Sequence, residues 1–364
     1  MVGGRCGRHL GGMSTGNAPK EPSGKARLRI RSALRASVLV AAVGFMVRAL
    51  RDGWADIAAG LARVASTRTD LVAVAIAVEV AWTWSLAQVY RSSLVALGGS
   101  VRRRDAVRIS MGAFSLSRFL PGGGAVGSLF AARELIAVGN PWAVTLVSMV
   151  VSWWVSMMAL GVLVLAGMTV TVLGGGIPAS SLVVPAGVLA GLALGGTAVA
   201  FSLERRGPRA CILRLARRAA GTAESDLAAA ESILLSGLRR LRRGGGVIRI
   251  GGWALASWAF DAVALWAVFA ALGHHLPIGV LLVGYGAANL LQALPELTPG
   301  WLGVLEATMA AVYAMFGVPA VVSVVAVLVY RLLSFWLPVA AGLPAGLAML
   351  RRGPARPAVT EAVA

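Results

Sequence analysis

The chain has 364 residues, of which 58% are hydrophobic and only 13% charged. A soluble domain of this length carries about 25% charged residues, so the chain lacks the polar surface that a water-exposed fold needs. Its net charge of +19 does not point to nucleic acid, because the basic residues cluster between apolar runs, as membrane topology and anionic headgroups require.

Residues 1–32 are rich in Gly, small polar and basic residues and read as a disordered cytoplasmic tail. Cys6 and Cys211 both fall in segments expected in the cytoplasm, so no structural disulfide is expected. The first apolar span covers 33–50 and is read as retained, because no small-residue cleavage site clearly follows it. An amphipathic interfacial stretch (51–69) comes next, then a second span (71–97) and the basic patch Arg102, Arg103, Arg104 and Arg108. A short, Gly-broken apolar region (111–139) leads into long spans over 141–172 and 182–202. Residues 204–249 hold eleven Arg against four acids in an amphipathic pattern, and 204–246 reads as a basic cytoplasmic loop. Further apolar stretches cover 247–272, 278–294, 301–316 and 319–350, and a short basic tail (351–364) closes the chain. The spacing predicts an all-α, polytopic bundle with about eight membrane-embedded segments.

The N-terminal 36 residues carry eight Lys and Arg against one acid, which places them inside. All strongly basic loops then share the cytoplasmic side, and with them both termini, provided that 111–139 and 278–316 enter and leave on one face. The two regions resemble each other. One reads LPGGGAVGSLFAARELIAVGNP and the other LTPGWLGVLEATMAAVYAMFGVP. In each, a Pro-Gly break (Pro121 and Gly122; Thr298, Pro299 and Gly300) precedes a second Gly (Gly127, Gly303) and a G-x-P corner. They are expected to be re-entrant hairpins of an inverted repeat. Broken backbone survives at membrane depth only where protein covers it or a wet cavity receives it, and paired breaks mark a transport site.

Charges inside apolar runs are costly, at about 2.5–3.5 kcal/mol each near the bilayer centre. Glu79, Arg91, Arg118, Arg133, Glu134, Asp261, Glu296, Glu306 and Arg331 fall there. Arg118, Arg133, Glu134, Asp261, Glu306 and Arg331 are the candidate headgroup residues, with Arg133 and Arg331 on a phosphate and Asp261 and Glu306 holding a cationic headgroup or balancing the arginines. Packing by buried ion pairs is the equal alternative, and Arg91 and Arg118 also lie within snorkelling reach of the cytoplasmic interface. His274 and His275 have no metal-ligand spacing around them, and neither GGG run forms a phosphate loop. No metal and no cofactor are expected.

SRFLPGGGAVGSLFAARELIAVG resembles the first signature of the lysylphosphatidylglycerol synthase/flippase transmembrane family, and TPGWLGVLEATMAAVYAMFGVP with VLVYRLLSFWLPVAAG resembles its second. The first departs from the commoner form, which has a basic residue soon after PG, where this chain has Gly123 and Gly124. The resemblance implies a multi-pass inner-membrane protein with a transmembrane domain spanning 33–350, of a family associated with moving aminoacylated phosphatidylglycerol between leaflets. The expected function is to bind or translocate a phospholipid or lipid-linked headgroup, anionic or zwitterionic, with an anionic phospholipid as the expected partner. The family's soluble aminoacyl-transferase domain has no counterpart here, so no enzyme activity is expected. The expected partners are membrane lipids, with a homo-oligomer or a separate partner enzyme left open. Two other classes fit the same composition: a membrane enzyme or enzyme subunit acting on lipid-linked glycan, and a non-catalytic scaffold recruiting partners through 204–246.

Overall fold

The computed structural model describes residues 68–119, 123–205, 227–243, 245–293 and 299–351. The expected first span, the interfacial stretch after it, both tails, and Pro121, Gly122, Glu296 and Thr298 lie outside the described residues. Every regular element among the described residues is helical. In chain order these are α1 (Thr69–Ala96), α2 (Arg103–Phe119), α3 (Gly123–Ala137), α4 (Trp142–Leu173) and α5 (Val183–Glu204). Then follow α6 (Leu227–Arg243), α7 (Gly246–Ala271), α8 (Ile278–Leu290), α9 (Val304–Met315), α10 (Ala320–Arg331) and α11 (Leu337–Arg351).

Five helical stretches among the described residues are long and apolar enough to cross a membrane: Thr69–Ala96, Trp142–Leu173, Ala179–Ala198, Gly246–Ala271 and Ala320–Arg351. The chain is therefore a polytopic helical membrane protein. By contrast α8 has 13 residues and α9 has 12, short of the roughly 20 that a single crossing needs. They pack on each other as a hairpin, and Tyr313 on α9 donates to the Leu281 carbonyl of α8 at 2.9 Å. The hairpin of α2 and α3 is its counterpart. It starts earlier than expected, because Arg103, Arg104 and Arg108 form the exposed first turns of α2 rather than a loop.

The repeat is visible in the backbone. α1 and α7 both end on a left-handed glycine, Gly98 (φ 95°) and Gly273 (φ 79°). Both hairpins end in the same way, at Gly139 (φ 99°) and Gly317 (φ 81°). In all four corners the glycine N–H donates three residues back, and the next N–H reaches back five residues to close the helix end. Each G-x-P corner then starts a long helix on a proline of nearly identical geometry, Pro141 (−58°, 134°) and Pro319 (−53°, 132°). Packing interlocks the halves. α1 lies along α7, while α2 of the first hairpin packs on α11, and α8 of the second packs on α4.

Small residues make these contacts close. Ala75 and Ala87 of α1 meet a face of α7 that carries Ala254, Ser257 and Ala264, all buried. On α11, a Cβ at Gly342 would collide with the Met111 carbonyl of α2, and Ser115 donates to the Val339 carbonyl at 2.9 Å. Trp258 of α7 donates to the Ser156 carbonyl of α4 at 2.8 Å. The large apolar side chains left exposed, among them Val80, Trp84, Val150 and Phe201, form a surface suited to lipid.

The final stretch is interrupted. Leu332–Trp336 is a π turn in which the Leu337 N–H donates to the Leu332 carbonyl. Pro338 follows, and its missing N–H and its ring are incompatible with a regular bond to the Ser334 carbonyl. The turn stands immediately after Arg331.

Candidate functional site

A cavity of about 790 Å³ lies among α1, α2, α3, α4 and α7. Its lining includes Arg91 near the end of α1, and Trp301, Tyr330 and Arg331 from the second half. Serines line it from four helices, including Ser110, Ser117, Ser152 and Ser257. Its charged lining consists of Arg91, Arg118 and Arg331 against one carboxyl, Asp261.

Residues beside both breaks line this cavity. Arg118 sits at the end of α2, just before the first break, with its guanidinium 4.6 Å from the Phe114 ring centre and 5.2 Å from that of Phe335. Arg331 lies 4.4 Å from the same Phe335 ring. Two guanidinium groups from opposite halves thus share one aromatic ring, a contact worth about 0.5–2 kcal/mol each. Gly300 of the second break lies against this cluster: at φ 62°, a Cβ would approach Phe335 to 2.6 Å and the Arg118 Cδ to 3.2 Å. Its neighbour Trp301 is buried at φ 56°, the one non-glycine with a positive φ among the described residues. A bulky residue held there stores strain of about 1–3 kcal/mol.

Arg331 is braced from the second hairpin. Its Nε is 2.6 Å from Glu306 Oε1, and its Nη2 donates to the Gly300 carbonyl at 3.1 Å. Glu306 stands in the first turn of α9, and its Oε2 accepts from the Gly303 N–H at 2.7 Å. A carboxylate is favoured there by the helix dipole and by the otherwise unpaired N–H groups. Gly303 supplies the cap at φ 83°. The two deep charges of opposite sign foreseen on these segments are therefore direct partners.

Asp261 is held differently from the expectation that it balances an arginine. Tyr285 of α8 donates to its Oδ2 at 2.7 Å and Tyr330 of α10 to its Oδ1 at 2.8 Å. Two phenols occupy its oxygens, and Arg331 is a neighbour rather than a hydrogen-bonded partner. Glu79 of α1 lies beside Asp261, only 2% exposed, and no donor among the described residues reaches either of its oxygens. Arg133 and the buried Glu134 stand on α3 between the lining residues Ala131 and Leu135, and they do not line the cavity. Gly127 lines it, and a Cβ there would lie 2.6 Å from the Ala113 carbonyl oxygen, so only glycine lets α3 pack this closely on α2. Pro299 precedes Gly300 in the turn Pro299–Trp301, which packs on α2.

Sequence reasoning passed over Tyr285, Tyr330, Trp301 and the serine lining. The visible signals were Tyr330 adjoining Arg331 and Tyr285 flanked by Gly284 and Gly286. It also passed over Asn140, whose side chain bonds the Ser100 N–H, the Ser100 carbonyl and the Leu135 carbonyl at 2.8–3.0 Å. That residue ties together the two ends of the first hairpin.

Two membrane proteins of Methanothermobacter thermautotrophicus, both described as UPF0104 membrane proteins, are similar to parts of this chain. One is 35% identical over 89 residues and the other 33% identical over 88. Each alignment covers 24% of this chain and 26% of the relative, so only about a quarter of either relative's length is matched. No solved structure matches significantly. The model of the lysylphosphatidylglycerol synthase transmembrane region matches residues 33–342, which takes in both hairpins, the cavity and the Arg331–Glu306 pair, and the chain belongs to that family.

Proposed function

We propose that this protein binds the phosphate-bearing headgroup of an anionic phospholipid in its central cavity and carries it between leaflets, as a flippase-like carrier that makes and breaks no bonds. The observation that carries this reading is the cavity itself: about 790 Å³, inside a membrane-length bundle, lined by three arginines and Asp261, with Glu306 bound to Arg331 from the second hairpin. Arg118 and Arg331 flank one ring; Arg331 is held through Nε by Glu306 and through Nη2 by the Gly300 carbonyl, and a phosphate diester would exchange with or add to such partners. The two halves contribute one arginine each, so a rocking of one repeat against the other changes access to the pair. With basic loops inside, the chain sits in the bacterial inner membrane with both termini cytoplasmic, and Arg91 lies near the cytoplasmic end of α1.

The test is translocation of fluorescent phosphatidylglycerol in proteoliposomes, read by dithionite quenching of the outer-leaflet pool. The purified chain should expose the inner pool faster than protein-free vesicles do, and Arg118→Gln should lose most of that gain while remaining folded. Equal rates with and without protein overturn the proposal.

A further inference from the structure

We infer that a groove between α3 and α4 is the lateral port through which the acyl chains of the bound lipid stay in the bilayer while its headgroup occupies the cavity. This inference rests on the headgroup reading above. The groove holds about 360 Å³ and is lined by Ser128, Leu129, Leu146, Met149, Val150 and Trp153. Ser128, Met149 and Trp153 line the central cavity as well, so the two spaces share a wall.

Polarity changes across that wall. The cavity carries three arginines and one carboxyl, whereas the groove carries no charge and one hydroxyl. The apolar groove residues face outward, with Leu129 57%, Val150 56% and Trp153 47% exposed. A water-filled pore would not place Leu, Val and Trp at its mouth, and a closed packing seam would not leave them half bare.

The sequence of α3 makes the gap. Its first turns carry glycine at 123, 124 and 127, and Gly127 packs against Ala113 and Ser117 of α2 rather than against α4. A Cβ at Gly124, which also lines the cavity, would meet nothing within 4 Å. α3 is packed chiefly on α2 rather than on α4, so its seam with α4 is the loosely closed side of the cavity. The occupant that fits a charged chamber joined to a lipid-facing apolar slot is a molecule with one anionic end and long hydrocarbon chains. That is a glycerophospholipid, and not a free phosphate or a soluble anion.

The test uses the full chain in phosphatidylcholine vesicles doped with phosphatidylglycerol carrying a diazirine on one acyl chain, with labelled residues identified by mass spectrometry. Leu129, Met149 and Val150 should be labelled at least three-fold more than Val170 and Leu194, which face lipid away from the groove. The excess should vanish when the diazirine is on phosphatidylcholine, and Val150→Trp, which fills a lipid-facing position without touching the core, should suppress it. Labelling at the groove no higher than at Val170, while phosphatidylglycerol still binds in an Arg118-dependent way by native mass spectrometry, overturns the port and leaves the headgroup reading standing. Equal excess with both probes overturns it too, because the groove would then take any chain irrespective of the cavity. Loss of Arg118-dependent binding altogether overturns both.

Discussion

The Arg331–Glu306 pair invites the most direct challenge. Its atoms approach to 2.6 Å with side chains only 10% and 12% exposed. Two unit charges about 4 Å apart attract by about 4 kcal/mol at an effective dielectric near 20, and desolvation offsets much of this. The net worth of the intact pair is therefore small, while the cost of breaking it is large. Removing one member leaves a buried charge without its partner, at about 3–5 kcal/mol. Arg331→Gln should fall at the low end, because Glu306 keeps the Gly303 N–H and the helix N-terminus. Glu306→Gln should fall at the high end, because the guanidinium keeps only a carbonyl and a ring face. The double variant Arg331→Gln/Glu306→Gln should recover most of the loss, giving a coupling of about 2 kcal/mol or more. The measurement is equilibrium unfolding by sodium dodecyl sulfate in mixed micelles, followed by Trp fluorescence. Single variants each costing less than about 1 kcal/mol, or a double variant equal to their sum, would refute the reasoning. Restored fold together with restored lipid transport in the double variant would further show that Arg331 is a brace and not a phosphate ligand.

Three further outcomes are expected. Tyr285→Phe and Tyr330→Phe each withdraw one donor from Asp261 and should each cost about 1.5–3 kcal/mol in the same titration; a loss below about 0.5 kcal/mol in both would show that the phenols do not hold the carboxylate. Gly300→Ala forces a side chain into left-handed backbone against Phe335 and should cost about 1–2 kcal/mol from backbone strain alone, with unchanged stability and transport refuting the close approach. In a Cys6→Ser/Cys211→Ser background, Gly175→Cys should react with an impermeant thiol reagent from outside and Gly221→Cys should not, and the opposite pattern would invert the proposed orientation.

Much of this architecture was legible because hydrocarbon thickness imposes its length on the sequence. The spans expected over 71–97, 141–172 and 247–272 differ by only a residue or two from α1, α4 and α7. Gly139, Pro141, Gly317 and Pro319 were readable as corners because few residues adopt that backbone. The start of α2 was not, since its Arg-rich first turns have the hydropathy of a loop while their helical bonds are local. The Glu306–Arg331 pair could be foreseen because opposite charges at depth need each other. The tyrosines on Asp261 could not, being 24 and 69 residues away and joined only when α7, α8 and α10 pack. The cavity itself is a property of how the two halves interlock, and no local pattern reports it.

The π turn after Arg331 has a consequence for how this chain tolerates changes in length. It holds one residue more than an α-helical path would use between Arg331 and α11. Deleting one residue within 332–336 would therefore bring the path back to its α-helical length and leave α11 on the same face, whereas deleting one within the regular turns of 320–330 would turn everything beyond by about 100°. Val339, Gly342 and Gly346 would then swing off α2, and bulkier neighbours would meet the Met111 carbonyl where only glycine fits. The helix would remain a helix, of nearly the same length and hydropathy, and the protein would still fail to assemble. A single-residue deletion in the exposed turn at 174–177, which carries no such phase relation, should be far better tolerated.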